Sequence, residues 1–201
     1  AIGGQTNQYM PDRLIDCVLE SGARHLTIYS IDSSDPGHGV SLLVEAGRVD
    51  AMITTHVGTN PLTNAKIQSG ALKAEFNPMG TFIERIRCGG AGLGGVLTPT
   101  GVGTIVEDSP FCLGKQTIDG RDYLLMKPIR ADFALINGYL VDKFGNIWYK
   151  GTTRNFNIVM ATPADVVIAE ADNVVEIGDI QPENVVTSGA FVNYIVDGGN
   201  A

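Results

Sequence analysis

Two hydrophobic patterns alternate along the chain. Between Asp12 and Gly22 the apolar residues Leu14, Ile15, Val18 and Leu19 recur at helical spacing, with Pro11 just ahead of the run and Gly22 closing it. This predicts a first helix. His25–Tyr29 is a short β-prone run that stops at the turn-forming Asp32-Ser33-Ser34-Asp35-Pro36-Gly37. A helix is expected over Gly39–Ala46, and Asp50–Thr55 is a nearly continuous apolar strand of the kind covered on both faces. Leu72–Asn77 reads as another strand. The amphipathic run Phe82–Cys88 then opens into Gly89, Gly90, Gly92, Gly94, Gly95, Gly101 and Gly103.

The second half continues in the same way. Tyr123–Met126 is a short strand and Ala131–Val141 is apolar enough for a central one. Asp142–Asn146 makes a tight turn into Ile147-Trp148-Tyr149, Asn157–Ala161 forms a helix, and Asp165–Glu170 is again a buried type of strand. Strands separated by helix-length segments predict an α/β fold, an open, doubly wound, mainly parallel sheet with helices on both faces. Residues 1–201 are expected to form a single domain. The opening Ala1-Ile2-Gly3-Gly4 reads as the end of a strand entering a turn, so an upstream helix and the body of a first strand are expected before it. In such a sheet ligands sit at the carboxyl ends of the strands. Those ends are the loops Gly3–Pro11, Ser30–Gly39, His56–Asn64 and Pro78–Thr81.

Composition narrows the function. With 201 residues, 44% hydrophobic and 18% charged, the chain is of ordinary globular make-up. A formal net charge of −8 and the absence of any Lys/Arg run speak against nucleic-acid binding. Three widely separated cysteines, Cys17, Cys88 and Cys112, offer neither a disulfide framework nor a Cys-x-x-Cys metal site, which fits a reducing, cytoplasmic setting. No apolar run approaches the length of a membrane span, so no membrane partner is expected.

The local motifs are chemically quiet. Gly90-Ala91-Gly92-Leu93-Gly94-Gly95 has the Gly-x-Gly-x-x-Gly spacing, but a dinucleotide loop follows a strand and opens a helix, whereas here a helix precedes it. His25, His38 and His56 share no metal-ligand spacing, so no metal site is expected. Cys88, at the end of an amphipathic run with no paired base, reads as a small buried hydrophobe. No pair of carboxylates stands out as acid and base.

The order of longer stretches is more telling. Gly58-Thr59-Asn60-Pro61, the run from Gly80 through Gly95, Leu97 through Thr104, Arg130-Ala131-Asp132, Gly145-Asn146 and Arg154-Asn155-Phe156-Asn157 together resemble the A (α) subunit of family I coenzyme A transferases. The family includes acetate/butyrate–acetoacetate and succinyl-CoA:3-oxoacid enzymes. The resemblance implies CoA transfer between short-chain acids through a glutamyl-CoA thioester, with the nucleophilic glutamate inside a Ser-Glu-Asn-Gly stretch of a β subunit. This chain has no such stretch. It is thus expected to carry no catalytic nucleophile, to need a β subunit in an αβ or α2β2 assembly, and to take coenzyme A as substrate, with no permanent cofactor. The glycine-rich segment, Gly89, Gly90, Gly92, Gly94 and Gly95, is expected to lie at or near the subunit interface or else to buttress the sheet as a turn system.

The departures from the family bear on substrate. Its first loop usually reads Gly-Gly-Phe-x-x-x-Gly-x-Pro, and here Gln5 replaces the Phe and Tyr9 the third Gly. Ile31 stands where relatives place Asn. Met79, ahead of Gly80-Thr81, stands where they place Gln. The expected substrate-binding residues are Ile31, Met79, Gln5, Tyr9 and Gly80, forming a more apolar acyl pocket than that of the 3-oxoacid enzymes. Two other readings stay open: a ligand-binding or regulatory protein on the same fold, and a subunit of an acyl-CoA hydrolase.

Overall fold

A computed structural model describes residues 1–199. In its first half, α1 (Asp12–Glu20), β1 (Leu26–Tyr29), α2 (Val40–Glu45), β2 (Val49–Thr54), α3 (Pro61–Gln68), β3 (Lys73–Phe76) and α4 (Met79–Gly90) alternate, all but α3 at places the hydrophobic pattern predicts. β1, β2 and β3 are parallel neighbours in that order. A small antiparallel sheet follows, in which β6 (Arg121–Met126) lies between β4 (Val96–Thr98) and β5 (Cys112–Ile118). The chain then forms β7 (Ala131–Asp142), β8 (Ile147–Trp148), α5 (Asn157–Met160), β9 (Ala164–Val175) and β10 (Tyr194–Asp197), with the order β10-β9-β7-β8. β7, β9 and β10 are parallel, and only β8 runs against them.

Residues 1–3 stitch the two parallel groups together. Ile2 N donates to Tyr29 O at 2.9 Å on one side, while Gly3 N donates to Leu135 O at 2.8 Å and Leu135 N to Ala1 O at 2.9 Å on the other. The result is one open sheet running β3-β2-β1, residues 1–3, β7-β9-β10. Alternation along its strands feeds two cores. Ile28, Met52 and Leu135 face Leu14, Ile15, Val40 and Leu43 of α1 and α2, and Ile53, Ile136, Val167 and Ala169 share the opposite core with Phe82, Ile86 and Met160 of α4 and α5. Helices therefore cover both faces of a mainly parallel sheet.

The structure corrects the sequence reading in three places. The amphipathic helix is longer than Phe82–Cys88: α4 starts at Met79 and takes in Gly89 and Gly90. A Cβ on Gly89 would lie 1.8 Å from Ile129 O, and one on Gly90 2.5 Å from Thr162, so both are small because other chain segments touch the helix there. α4 stops in a Schellman motif, with Gly92 at φ +69°, Leu93 N bonded to Cys88 O at 3.0 Å and Gly92 N to Gly89 O at 3.2 Å. Second, α3 carries almost no apolar stripe. It is set instead by Asn60, whose side chain accepts from Thr63 N at 2.9 Å, and by Pro61 in its first turn. Third, β5 and β6 form a hairpin closed by Asp119 at φ +50° and Gly120 at φ +75°, an Asp-Gly turn of the I′ kind.

Candidate functional site

The strand order reverses beside residues 1–3. From there the chain winds outward through β1, β2 and β3, then returns on the other side as β7 and β9, which places the topological switch point where residues 1–3 meet β7. The loops leaving the carboxyl ends here are residues 4–11, 30–39, 55–60 and 77–78, close to the set expected from the pattern. A larger, mainly apolar groove of about 890 Å3, lined by residues such as Leu14, Leu26, Ile28 and Leu135, opens beside the starts of β1 and β7. It is the wrong end of the sheet for ligand chemistry, and the smaller cavity at the switch point is the better candidate.

That cavity, about 410 Å3, is lined by Gln5, Thr6, Asn7, Gln8 and Asp35. The loop that forms it is pinned from two sides. On the β1 side the buried Asp32 accepts from Thr6 N at 2.8 Å, Thr6 Oγ1 at 3.2 Å and Ser34 N at 2.9 Å. Asn7 Nδ2 donates to Asp35 Oδ2 at 2.7 Å, and Asp35 N donates back to Asn7 Oδ1 at 3.0 Å. On the β7 side Asn155 Nδ2 reaches Gln8 O at 3.4 Å. Asn157, fully buried at the first turn of α5, donates from Nδ2 to Tyr9 O at 3.1 Å and accepts at Oδ1 from Asn137 N at 3.0 Å. A Cβ on Gly3 would sit 1.9 Å from Asn157 Oδ1, so the glycine makes room for this amide.

The five expected substrate residues fall into two situations. Gln5 is exposed on the cavity wall, its backbone paired with Gln8, and Tyr9 is partly exposed with φ +56°. Met79 and Gly80 are exposed at the start of α4, and a Cβ on Gly80 would meet nothing within 4 Å. Ile31 is different: its side chain is buried in the core with Phe82 and Ile86, while its carbonyl accepts from Thr54 Oγ1 at 2.9 Å, Thr55 N at 3.1 Å and Thr55 Oγ1 at 2.7 Å. Ile31 thus anchors the loop that carries Asp32.

α4 also carries a buried charged group that sequence reasoning missed. Arg85 of α4, 4% exposed, donates from Nη1 to Glu75 Oε1 at 2.6 Å and to Asn77 Oδ1, and from Nε to Lys127 O at 2.7 Å. Its guanidinium carbon stands 4.5 Å from the Phe111 ring centroid. Burial, and then the nearby Glu75 carboxylate, raise the Tyr29 phenol above its ordinary range. Asp32, Asn155 and Asn157 were also not picked out as site residues. Their one visible signal was the density of short side-chain amides and acids in loops, which is common to all turns.

Of the glycines, Gly89, Gly90 and Gly92 are accounted for by packing and by the helix stop, and Gly95 fits closely against Leu125 and Met126. Gly92, Leu93 and Gly94 are exposed, Leu93 at 51%. Among the described residues no group of three His, Cys, Asp or Glu is placed to hold a metal ion. No helix among them is long and apolar enough to cross a membrane.

A profile of the family described as Coenzyme A transferase matches residues 1–198. The chain belongs to the coenzyme A transferase family. It is 46% identical over 197 residues to the acetate CoA-transferase subunit alpha of Escherichia coli, covering 97% of this chain and 87% of that one. It is 45% identical over 195 residues to the acetoacetyl-CoA:acetate/butyrate CoA transferase alpha subunit of Clostridium acetobutylicum, covering 97% and 88%. The glutaconate coenzyme A-transferase of Acidaminococcus fermentans shares the fold, with a TM-score of 0.81 over 98% of this chain and 69% of that one at 17% identity.

Proposed function

We propose that this chain is the α half of a heteromeric transferase that moves coenzyme A between short-chain carboxylic acids. The observation that carries the reading is the match, over almost the whole chain, to relatives named as alpha subunits of acetate and acetoacetate transferases. The chemistry runs through the β subunit. A β-chain glutamate attacks the acyl-CoA carbonyl, giving a mixed anhydride and free CoA thiolate; the thiolate attacks the glutamyl carbonyl, forming the glutamyl-CoA thioester and releasing the carboxylate. The second acid then runs the same steps in reverse.

This chain's share is the wall against which the acyl group lies. The loop Gln5–Tyr9 and the exposed Met79 border the carboxyl face, and Ile31 backs it from the core. An apolar thioether at position 79 favours a simple fatty acyl group over one with a 3-oxo group, because a carbonyl stripped of water without a partner costs about 1–3 kcal/mol. The exposed Gly92-Leu93-Gly94 corner, with its bare backbone and apolar Leu93, is the part of the glycine-rich segment fitted to the β subunit. Residues 1–201 act as one domain in this assembly.

The test is to reconstitute the chain with the β chain encoded beside it and to assay CoA exchange among acetate, butyrate and acetoacetate. Borohydride reduction during turnover should mark a glutamate on the β chain. A complex that turns over acyl-CoA only to free acid and CoA, or binds it without turnover, overturns the reading.

A further inference from the structure

Thr6 and Tyr9 both lie in the left-handed region, each with φ +56°. That conformation is costly for any residue with a Cβ, most of all for a branched one such as Thr. Backbone of this kind survives only where its surroundings over-determine it, and it clusters where ligands are held. Here the surroundings are explicit. Asp32 takes both the amide and the hydroxyl of Thr6, and Asn157 holds the carbonyl of Tyr9 while its other end is tied to Asn137 N of β7.

We infer that Tyr9 is a specificity-determining residue for the acyl group, and that Asn157 and Asp32 are positioning residues that hold it in place. This rests on the transferase reading above. Three observations converge on it. Tyr9 is 38% exposed as a residue and belongs to none of the hydrophobic clusters, so its side chain adds little to the fold. A glycine would hold the same backbone at less cost, so folding alone does not account for the ring. The bonds that fix the loop backbone run to the sheet itself, from the Tyr9 carbonyl to β7 through Asn157 and from Thr6 to the end of β1 through Asp32, so the backbone from which the ring springs is referred to rigid elements rather than to a free loop. A residue that neither fills the core nor relaxes the backbone is left with contact to a ligand as its use.

The reconstituted α/β complex tests this with acetyl-, butyryl- and hexanoyl-CoA as donors and propionate as acceptor, so that every donor gives a product distinct from itself. Tyr9→Gly should leave the melting temperature unchanged or higher and raise the hexanoyl-to-acetyl ratio of kcat/KM by about tenfold, the discrimination typical of a pocket wall facing an alkyl chain. Asn157→Asp, which sets a carboxylate against the Tyr9 carbonyl, should raise that ratio in the parent and leave it unchanged in the Tyr9→Gly background. Tyr149→Phe removes a buried hydroxyl contact to Thr187 outside this loop, so it should lower stability without moving the ratio. If the Asn157→Asp complex does not assemble, Asn155→Ala, which loosens Gln8 O and Asn157 Nδ2, replaces it with the same expectation. A ratio within about twofold of the parent for Tyr9→Gly overturns the inference, as does an equal effect of the second substitution in both backgrounds. A parent complex that transfers no CoA overturns the transferase reading and this inference with it; a parent that transfers CoA while the ratio stays fixed overturns the inference alone.

Discussion

Replacing Arg85 by Met removes a buried charge whose partners cannot all be satisfied in another way. The guanidinium, 4% exposed, supplies bonds to Glu75 Oε1, Asn77 Oδ1 and Lys127 O. Breaking one side of a buried pair costs about 3–5 kcal/mol. The Glu75 side chain is 27% exposed and can regain water, and Asn77 Nδ2 keeps its 3.1 Å bond to Glu75 Oε1, so the lower end of the range applies. About 3 kcal/mol is a large part of a stability of about 5–15 kcal/mol, and for a chain of this length it lowers the melting temperature by roughly 6–12 °C. Urea unfolding of the isolated chain, followed by the fluorescence of Trp148, measures it. Glu75→Gln alone should cost less, and the double substitution Arg85→Met with Glu75→Leu should recover much of the loss. A change below about 1 kcal/mol for Arg85→Met would place the pair with exposed ion pairs and refute the buried-network account.

Met79→Gln should leave the melting temperature within about 2 °C, since the side chain is exposed in the first helical turn, and should raise the acetoacetate-to-butyrate turnover ratio about fivefold or more, as one added hydrogen bond allows. An unchanged ratio counts against position 79 as an acyl contact. Gly80→Ala should be silent in a thermal melt, because a Cβ there meets nothing within 4 Å, whereas Gly89→Ala should cost about 3 kcal/mol or abolish folding, because its Cβ would lie 1.8 Å from Ile129 O. Glu170, buried on β9 where it accepts from Leu14 N at 3.0 Å, has its carboxyl raised above the ordinary value of 4.5, chiefly by burial. The folded state then holds its proton more tightly than the unfolded one, so this contribution to stability is full below pH 4.5 and is lost as pH rises through the folded value. Glu170→Gln should accordingly be more stable than the parent at pH 8, with the gap closing toward pH 4; a gap that widens on acidification reverses the sign of the argument.

The sheet was legible because burial on both faces leaves its mark on sequence. β2, β7 and β9 have few polar positions in their interiors, and the helices between them carry stripes that match the two cores. What was missed has the opposite character. α3 buries only Thr63 and β5 is exposed for nearly all its length, so neither has an apolar face for periodicity to find. Both were marked by other signals, Asn60 before Pro61 and the Asp119-Gly120 pair, which act through capping and turn geometry. The glycine-rich segment was hard to read for a related reason. Glycine counts alike whether it accommodates a helix crossing, as Gly89 and Gly90 do, or ends a helix, as Gly92 does, and only the tertiary neighbours tell the cases apart.

The site was legible to a different degree. Which loops would converge followed from topology alone, since an open parallel sheet places the carboxyl ends of its strands together. Which side chains matter there did not follow, because their roles depend on partners far off in the chain. Asp32 answers Thr6 across 26 residues and Asn157 answers Tyr9 across 148, and at such separations one sequence holds no pairing rule for a short amide or carboxylate. Backbone conformation was equally hidden, for nothing in the letters Thr6 or Tyr9 announces a left-handed residue. Ile31 shows the converse limit. It was expected beside the acyl group because relatives place a polar residue there, yet its side chain is buried in the core and its carbonyl gathers Thr54 and Thr55.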